Sequence, residues 1–338
     1  MSRERIATRE SPSLDKMVAH YARVGSANRT AFQELKVVLA RFHEQGIECL
    51  LLKGADLIPR LYGVLGARPL ADVDLLVHAA DLPAIDRVLK TLGYRPHIDG
   101  NPAYVDPEHK LDLDVVTDIW YMDDPAIIWQ RAVQREFQGS PVQAMDSNDL
   151  LLYLTAYVVV YRGRLSPFFA QDLALLIEKE RIEWPFVLTE ACRYHLKIPL
   201  YHGLTYTIRG KQAKVPPEVM GRLAPSGIRE RLLCWILQKL VTETGIQGVG
   251  FFLLLITQPG VKRLRWLKHS IFPSRTFLSY RYGDRASTHP LLVRIGRPFS
   301  LAWQGLLLSR RILTALLKPR RTGAWLSSYI LLLAFAVE

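Results

Sequence analysis

Residues 67–80 read ARPLADVDLLVHAA, and the two aspartates inside this run, Asp72 and Asp74, decide how the rest of the chain is read. The residues after them, Leu75-Leu76-Val77, are of the type that fills the middle of a sheet. Side chains alternate along a strand, so Asp72 and Asp74 share one face, with Cβ atoms ~7 Å apart, while Val73 and Leu75 face the core. Two carboxylates this close repel each other unless a positive charge lies between them. Further on, HKLDLDVVTD (109–118) repeats the arrangement: Leu111, Leu113 and Val115 face one way, Asp112 and Asp114 the other. If the two strands are neighbours, three or four acids converge on one patch. Hard divalent cations such as Mg²⁺ take carboxylate oxygens and keep substrate phosphates as further ligands. Two such ions, about 3.5–4 Å apart, clamp the attacking and leaving oxygens of a phosphoryl displacement. The competing reading of an isolated D-x-D is a solvated strand edge.

Outward from this centre, residues 31–45 place Phe32, Leu35, Val38, Leu39 and Phe42 on one helical face, and Gly46 stops the helix. IECLLLKGA (47–55) is a short buried strand ending in Lys53-Gly54, and Asp56 to Tyr62 is a helical turn or two. Asp81 is placed to cap a helix that Gly93 ends. Residues 103–106 form another strand. After residue 146 the pattern changes to helices alone, over Ser147–Tyr161, Phe168–Lys179 and Trp184–Tyr194, punctuated by Pro141, Pro167 and Pro185. The expected fold class is α+β: a small mixed-sheet core (1–145), a helical domain (146–240) and a basic, apolar helical C-terminal region (241–338).

The 338 residues exceed one small core, at roughly 100–200 residues per domain. The net charge of +12 is unevenly spread: residues 241–338 hold 14 Lys/Arg against Glu243, Asp284 and Glu338, and the rest is nearly neutral. Such asymmetry implies an anionic partner, a membrane surface, nucleic acid or a phosphorylated substrate. The alternative for these helices is packing on the domain with Arg and Lys stems reaching outward. Cys49, Cys192 and Cys234 are odd in number and far apart, which fits a reducing compartment. The polar N-terminus lacks a secretion signal, and the uncharged part of GAWLSSYILLLAFAVE (323–338) is too short to span a bilayer. A cytoplasmic protein is expected, peripheral at the inner face of the membrane if the basic region docks there. The nine histidines include no pair four residues apart, and C-x-x-C, serine-elbow and P-loop motifs are missing, which removes several enzyme classes.

LLLKGADLIPRLYGVLGARPLADVDLLV (50–77) resembles the core motif of the DNA-polymerase-beta-like nucleotidyltransferase superfamily, and within it the branch of uncharacterised nucleotidyltransferases. The matching residues are Lys53-Gly54, then Arg68 and the Asp72-Val73-Asp74 strand. KLDLDVV supplies Asp112 for the branch's later aspartate, with Asp114 where the branch has a histidine, and Asp172 matches an aspartate of its helical part. Tyr157 and Tyr161 stand where the branch often has histidines. The resemblance implies a nucleotidyltransferase core and two Mg²⁺ ions held by Asp72, Asp74 and Asp112. It also implies a triphosphate contacted by Lys53 and Gly54. Arg68 either forks onto a phosphate or orients Asp72 by a salt bridge. Asp114 is either an acid behind the metal ligands or a strand-edge charge. Asp172 is either a general base or an interdomain charge.

The expected activity is Mg²⁺-dependent transfer of a nucleoside monophosphate from an NTP to a hydroxyl of a small molecule, glycan or peptide. The alternative is a non-catalytic nucleotide-binding or membrane-surface adaptor on the same fold. A nucleic-acid partner is less favoured, because the basic residues are interleaved with long aliphatic runs that suit lipid or protein contacts as well.

Overall fold

The computed structural model describes residues 14–98, 102–108, 110–273, 278 and 290–317. GAWLSSYILLLAFAVE (323–338) lies outside these residues. The first helix, α1 (Leu14–Glu44), begins well before the periodic stretch at 31–45 and buries Phe32, Leu35, Val38 and Phe42. It is followed by β1 (Cys49–Leu52), the short α2 (Lys53–Leu57) with a π-helical turn over Ile58–Tyr62, and β2 (Val73–Val77). Then come α3 (Leu82–Thr91), β3 (Arg95–Ile98), β4 (Pro102–Val105), β5 (Leu113–Val116), α4 (Ala126–Arg131), β6 (Val133–Phe137) and β7 (Ser140–Ala144).

The seven strands form one mixed sheet in the order β3-β4-β5-β2-β1-β7-β6. β2 is central: it runs antiparallel to β1 and parallel to β5. All five of its residues are buried, which is why it reads as continuous sheet core apart from Asp74. The sheet therefore separates two apolar layers. Val73, Leu75, Val77, Leu113 and Val115 pack under α1 and α3. Leu50, Leu52 and Leu76 face the opposite layer, which continues into the helices beyond residue 146.

Those helices are α5 (Ser147–Thr155), continued as a π-helical segment over Ala156–Arg162, then α6 (Pro167–Lys179), α7 (Trp184–Arg193), α8 (Lys197–Lys211), α9 (Pro217–Leu223) and α10 (Ile228–Leu240). Asp146 caps α5 by accepting from the backbone N–H of Asn148 and Asp149, and Ser166 caps α6. The C-terminal region contributes α11 (Val249–Thr257), α12 (Gly260–Ile271) and α13 (Pro290–Leu317). It shares the helical core, because Val249, Leu253, Leu254 and Ile312 are buried in it. The close crossing of α11 over the π-helical segment needs glycine: a Cβ on Gly250 would lie 1.8 Å from the Tyr161 carbonyl oxygen. No strand follows Ala144 among the described residues.

Candidate active site

The parallel pairing of β2 and β5 sets Asp74 directly opposite Asp114, and Val73 opposite Leu113. Neighbouring strands lie ~4.8 Å apart, so these two carboxylates emerge side by side on the face turned to the helices. Asp72 precedes β2 by one residue and is exposed. Asp112 precedes β5; its main-chain oxygen accepts from Val73 N–H (2.9 Å) and its Oδ1 from Asp106 N–H (3.2 Å). The sequence reading gave the neighbouring-strand role to Asp112. The register sets Asp114 opposite Asp74 and, one step earlier, brings Asp112 beside Asp72, with Asp112 Oδ1 accepting from the Asp106 N–H.

Lys53 faces Asp74. Lys53 Nζ donates to Asp74 Oδ1 at 2.5 Å and lies 3.8 Å from the centre of the Tyr157 ring. Burial by itself would discharge both partners of this pair. For Lys53, burial is outweighed by Asp74 and Tyr157, and the ammonium is held above its ordinary value. For Asp74 burial wins: its carboxyl is pushed up to about 6, Lys53 pulling down while Asp72 and Asp114 add repulsion. Lys53 also adopts a left-handed backbone conformation, φ +47°, at the junction of β1 and α2. Such conformations cost about 1–3 kcal/mol in residues with a Cβ and are held only where surrounding structure fixes them.

Gly54 follows, and a side chain there would have to displace its neighbours. A Cβ there would stand 2.6 Å from Leu70 Cδ1 and 2.9 Å from Arg68 Nη1. Arg68 is itself fixed: Nε and Nη2 fork onto Asp172 Oδ1 and Oδ2 at 2.8 and 3.1 Å. Tyr62 Oη donates to Asp172 Oδ1 at 2.6 Å. Of the two roles left open for Arg68 by the sequence, the salt bridge exists, but its partner is Asp172 on α6 and not Asp72. Both oxygens of Asp172 are committed to Arg68 and Tyr62, so its role as an interdomain charge is the one the geometry favours over a general base. Asn28 of α1 closes the same loop, donating to the Leu65 and Arg68 carbonyl oxygens and accepting from Leu70 N–H.

Above Lys53 runs a stack of rings that strand and motif reasoning did not assemble. Tyr153, Tyr157 and Tyr161 stack in succession, with centroids 6.2 and 5.6 Å apart, and Trp120 lies 6.5 Å from Tyr161. Their i, i+4, i+8 spacing was visible in the sequence as a helical stripe. What was not visible is that this stripe faces the Lys53–Asp74 pair.

A separate cavity of about 310 Å³ lies against β6 and β7, lined among others by Asp56, Arg60 and Arg135. Its charges are already matched. Arg60 donates to Asp56, Glu180, Ser147 and the Met145 carbonyl oxygen, each at 2.9 Å, and Arg135 binds both oxygens of Glu180. This network joins the sheet to α5 and α6 rather than offering a site.

Among the described residues, no three His, Cys, Asp or Glu side chains already stand close enough to enclose a metal ion. The donor chemistry around Asp74 nevertheless suits one. Asp72, Asp74 and Asp114 bring carboxylate oxygens to one place. Such oxygens are the ligands a hard divalent cation takes.

Residues 4–209 match a protein family described as uncharacterised nucleotidyltransferase. No curated protein matches the chain. Three solved structures show a distant likeness. The solution structure of the antibiotic-resistance factor ANT(2'')-Ia shares 14% identity at TM-score 0.38, over 55% of this chain and 97% of that one. The crystal structure of ANT(2'')-Ia with adenylyl-2''-tobramycin shares 14% at 0.35, over 52% and 97%. An antigenic nucleotidyltransferase-like protein from Paracoccidioides brasiliensis shares 17% at 0.38, over 62% and 93%. Likenesses this remote bear on neither substrate nor mechanism.

Proposed function

We propose that this chain, which belongs to the family of uncharacterised nucleotidyltransferases, transfers a nucleoside monophosphate from an NTP to a hydroxyl of a small molecule, glycan or peptide. The observation that carries the reading is the register of Asp74 opposite Asp114, beside Lys53, within the residues that the family match covers. In the reaction, an acceptor oxygen attacks the α-phosphorus and loses its proton to the site or to water. A new O–P bond forms, the α–β bridging P–O bond breaks, and pyrophosphate leaves with the bonding pair.

Asp72, Asp74 and Asp114 would hold Mg²⁺, with two ions the expected number, and the metal would neutralise phosphate charge and ease deprotonation of the attacking hydroxyl. Asp112 fixes the turn before β5 and thereby the position of Asp114. Lys53, paired with Asp74, is placed to contact the triphosphate. Gly54 lets the chain approach those phosphates closely. Arg68, clamped by Asp172, presents its remaining nitrogen, Nη1, beside Gly54. The aromatic stack over Lys53 walls the site on its helical side and excludes water from it.

The test is incubation of the full chain with each α-labelled NTP, Mg²⁺ and pooled hydroxyl acceptors, scoring label transfer and pyrophosphate release together. Metal-dependent transfer that Asp74→Asn removes supports the reading. Nucleotide binding in calorimetry with no pyrophosphate released under any acceptor condition would overturn it in favour of a binding protein.

A further inference from the structure

Helix α13 carries two apolar faces, and the fold uses one of them. Leu308, Ile312, Ala315 and Leu316 turn inward: Ile312 is buried, and the other three pack against the helical core. At ~100° per residue, these four cluster on one side of the helix. Ile295, Phe299, Trp303, Leu306, Leu313 and Leu317 fall within an arc of roughly 80° on the opposite side. They recur at helical spacing for the length of the helix and are exposed, Phe299 and Leu317 each by 73% and Trp303 by 62%. A stripe this regular is not the scatter of single apolar residues found on ordinary surfaces.

The charge of the helix has one sign: residues 290–317 contain Arg294, Arg297, Arg310 and Arg311 and no acid, and Lys318, Arg320 and Arg321 follow in sequence. Arg310 lies within the exposed arc, whereas Arg294 and Arg297 fall on the covered side at ~100° per residue. Helix α12 repeats the design on a smaller scale: Val261, Leu264 and Phe272 are exposed on one side, with Lys268 among them. The two helices are tied together, since Arg297 Nε donates to the Ser270 carbonyl oxygen at 2.7 Å. Helix α12 is in turn moored to the sheet side by Lys262, whose Nζ donates to the Tyr121 carbonyl oxygen at 2.6 Å and pairs with Asp123 at 3.0 Å. The amphipathic unit is therefore built onto the rest of the fold.

We propose that the exposed stripe of α13, assisted by α12, docks the protein on an anionic phospholipid surface, lying in the interface rather than crossing it. Large apolar and aromatic side chains in one plane, with Arg310 among them and Lys268 on the exposed side of α12, suit the boundary between headgroups and acyl chains. A nucleic acid would use the arginines and leave Phe299, Trp303 and Leu306 in water. A second copy of the same basic, acid-free helix would bring like charges together. Among the described residues, no helix is long and apolar enough to cross a membrane. The docking is independent of the nucleotidyl-transfer reading, and either stands if the other fails.

The experiment is flotation of the full chain with phosphatidylcholine vesicles, with and without phosphatidylglycerol, at low and high salt. The expected result is co-flotation with the phosphatidylglycerol vesicles, weakened by salt. The triple variant F299E/W303E/L306E should lose it by more than about tenfold while keeping its circular dichroism and nucleotide binding. Arg310→Gln with Arg311→Gln should lower the preference for anionic vesicles. Failure of the unaltered chain to float with either vesicle overturns the proposal, as does unchanged flotation of the folded triple variant. A concentration-dependent dimer, dissolved by the triple variant and unaffected by vesicles, overturns it in favour of self-association.

Discussion

Two buried charge clusters lie within a few residues of each other in the sequence and behave oppositely. Around Arg60, four donors of one guanidinium meet Asp56, Glu180, Ser147 and a main-chain carbonyl, and Arg135 completes the balance. Around Lys53, a single ammonium faces Asp74 with Asp72 and Asp114 behind it, on a residue with a strained backbone. The first cluster is closely matched and holds sheet and helices together; among the described residues, Arg135 Nε is its one buried nitrogen without a hydrogen bond. The second keeps Asp74 buried, which pushes its pKa up, beside two further carboxylates, the exposed Asp72 and the half-buried Asp114, which add to the rise. A perturbed buried carboxylate of this kind marks a candidate functional site.

Substitution separates the two most sharply. Asp74→Asn should reduce nucleotidyl transfer by about a thousandfold or more, since several kcal/mol of charge stabilisation are withdrawn, while circular dichroism is retained. Arg60→Met should act in reverse. It leaves Asp56 and Glu180 without their cation and should cost about 3–5 kcal/mol in urea unfolding, with transfer per folded molecule preserved. Equal damage to stability from both would erase the distinction.

Acidity sharpens it next. Mg²⁺ binding to the nucleotide-free chain should weaken as pH drops below about 6, where Asp74 takes up a proton, and metal titrations across this range check it. Lys53→Met removes the charge that restrains Asp74, so the loss of metal binding should move to higher pH. In stability the signs differ. Asp74 in the folded chain holds a proton that the unfolded chain has released, from the ordinary value of 3.8 up to about 6. Its contribution is therefore unfavourable above about 6 and vanishes below 3.8. Glu180 is held below its ordinary value: burial works against the charge, but Arg60 and Ser147 outweigh it. Its contribution is present above 4.5 and fades as pH falls. Unfolding midpoints of the Asp74→Asn and Glu180→Gln variants across this range check both directions.

Smaller effects test the register and the close approach. Asp114→Asn should lower transfer more than Asp112→Asn, because Asp114 stands opposite Asp74; the reverse order would return the third carboxylate to position 112. Gly54→Ala should cost about 1–3 kcal/mol, measured by thermal unfolding, because Arg68 is clamped by Asp172 and yields poorly to a new Cβ.

Much of this was legible in the sequence where a strand or helix is strongly one-sided. The alternation around Asp72 and Asp74, the pair at Asp112 and Asp114, and the helices over 147–194 all report their own burial. The strands β3, β6 and β7 were not legible. β6 and β7 each bury a single residue fully, and β7 contains Pro141, which punctuates a linear reading even though it sits in the sheet. β3 and β6 are the edges of the sheet, where little is buried and alternation is weak, while β7, between β1 and β6, is obscured by its polar residues and Pro141. The two apolar faces of α13 were legible as one broad face; which half is covered was not.

The sequence by itself determined that two acidic strands exist, that a lysine and a glycine precede the first, and that helices follow. Periodicity is a local property and survives without neighbours. Only the tertiary structure decided that the strands are parallel partners, which residue of the second pair faces Asp74, and that Arg68 meets Asp172 and Arg60 meets Glu180. Those partners lie 104 and 120 residues apart. Side-chain charge says that a partner is needed, but the register of strands and the docking of helices say which one.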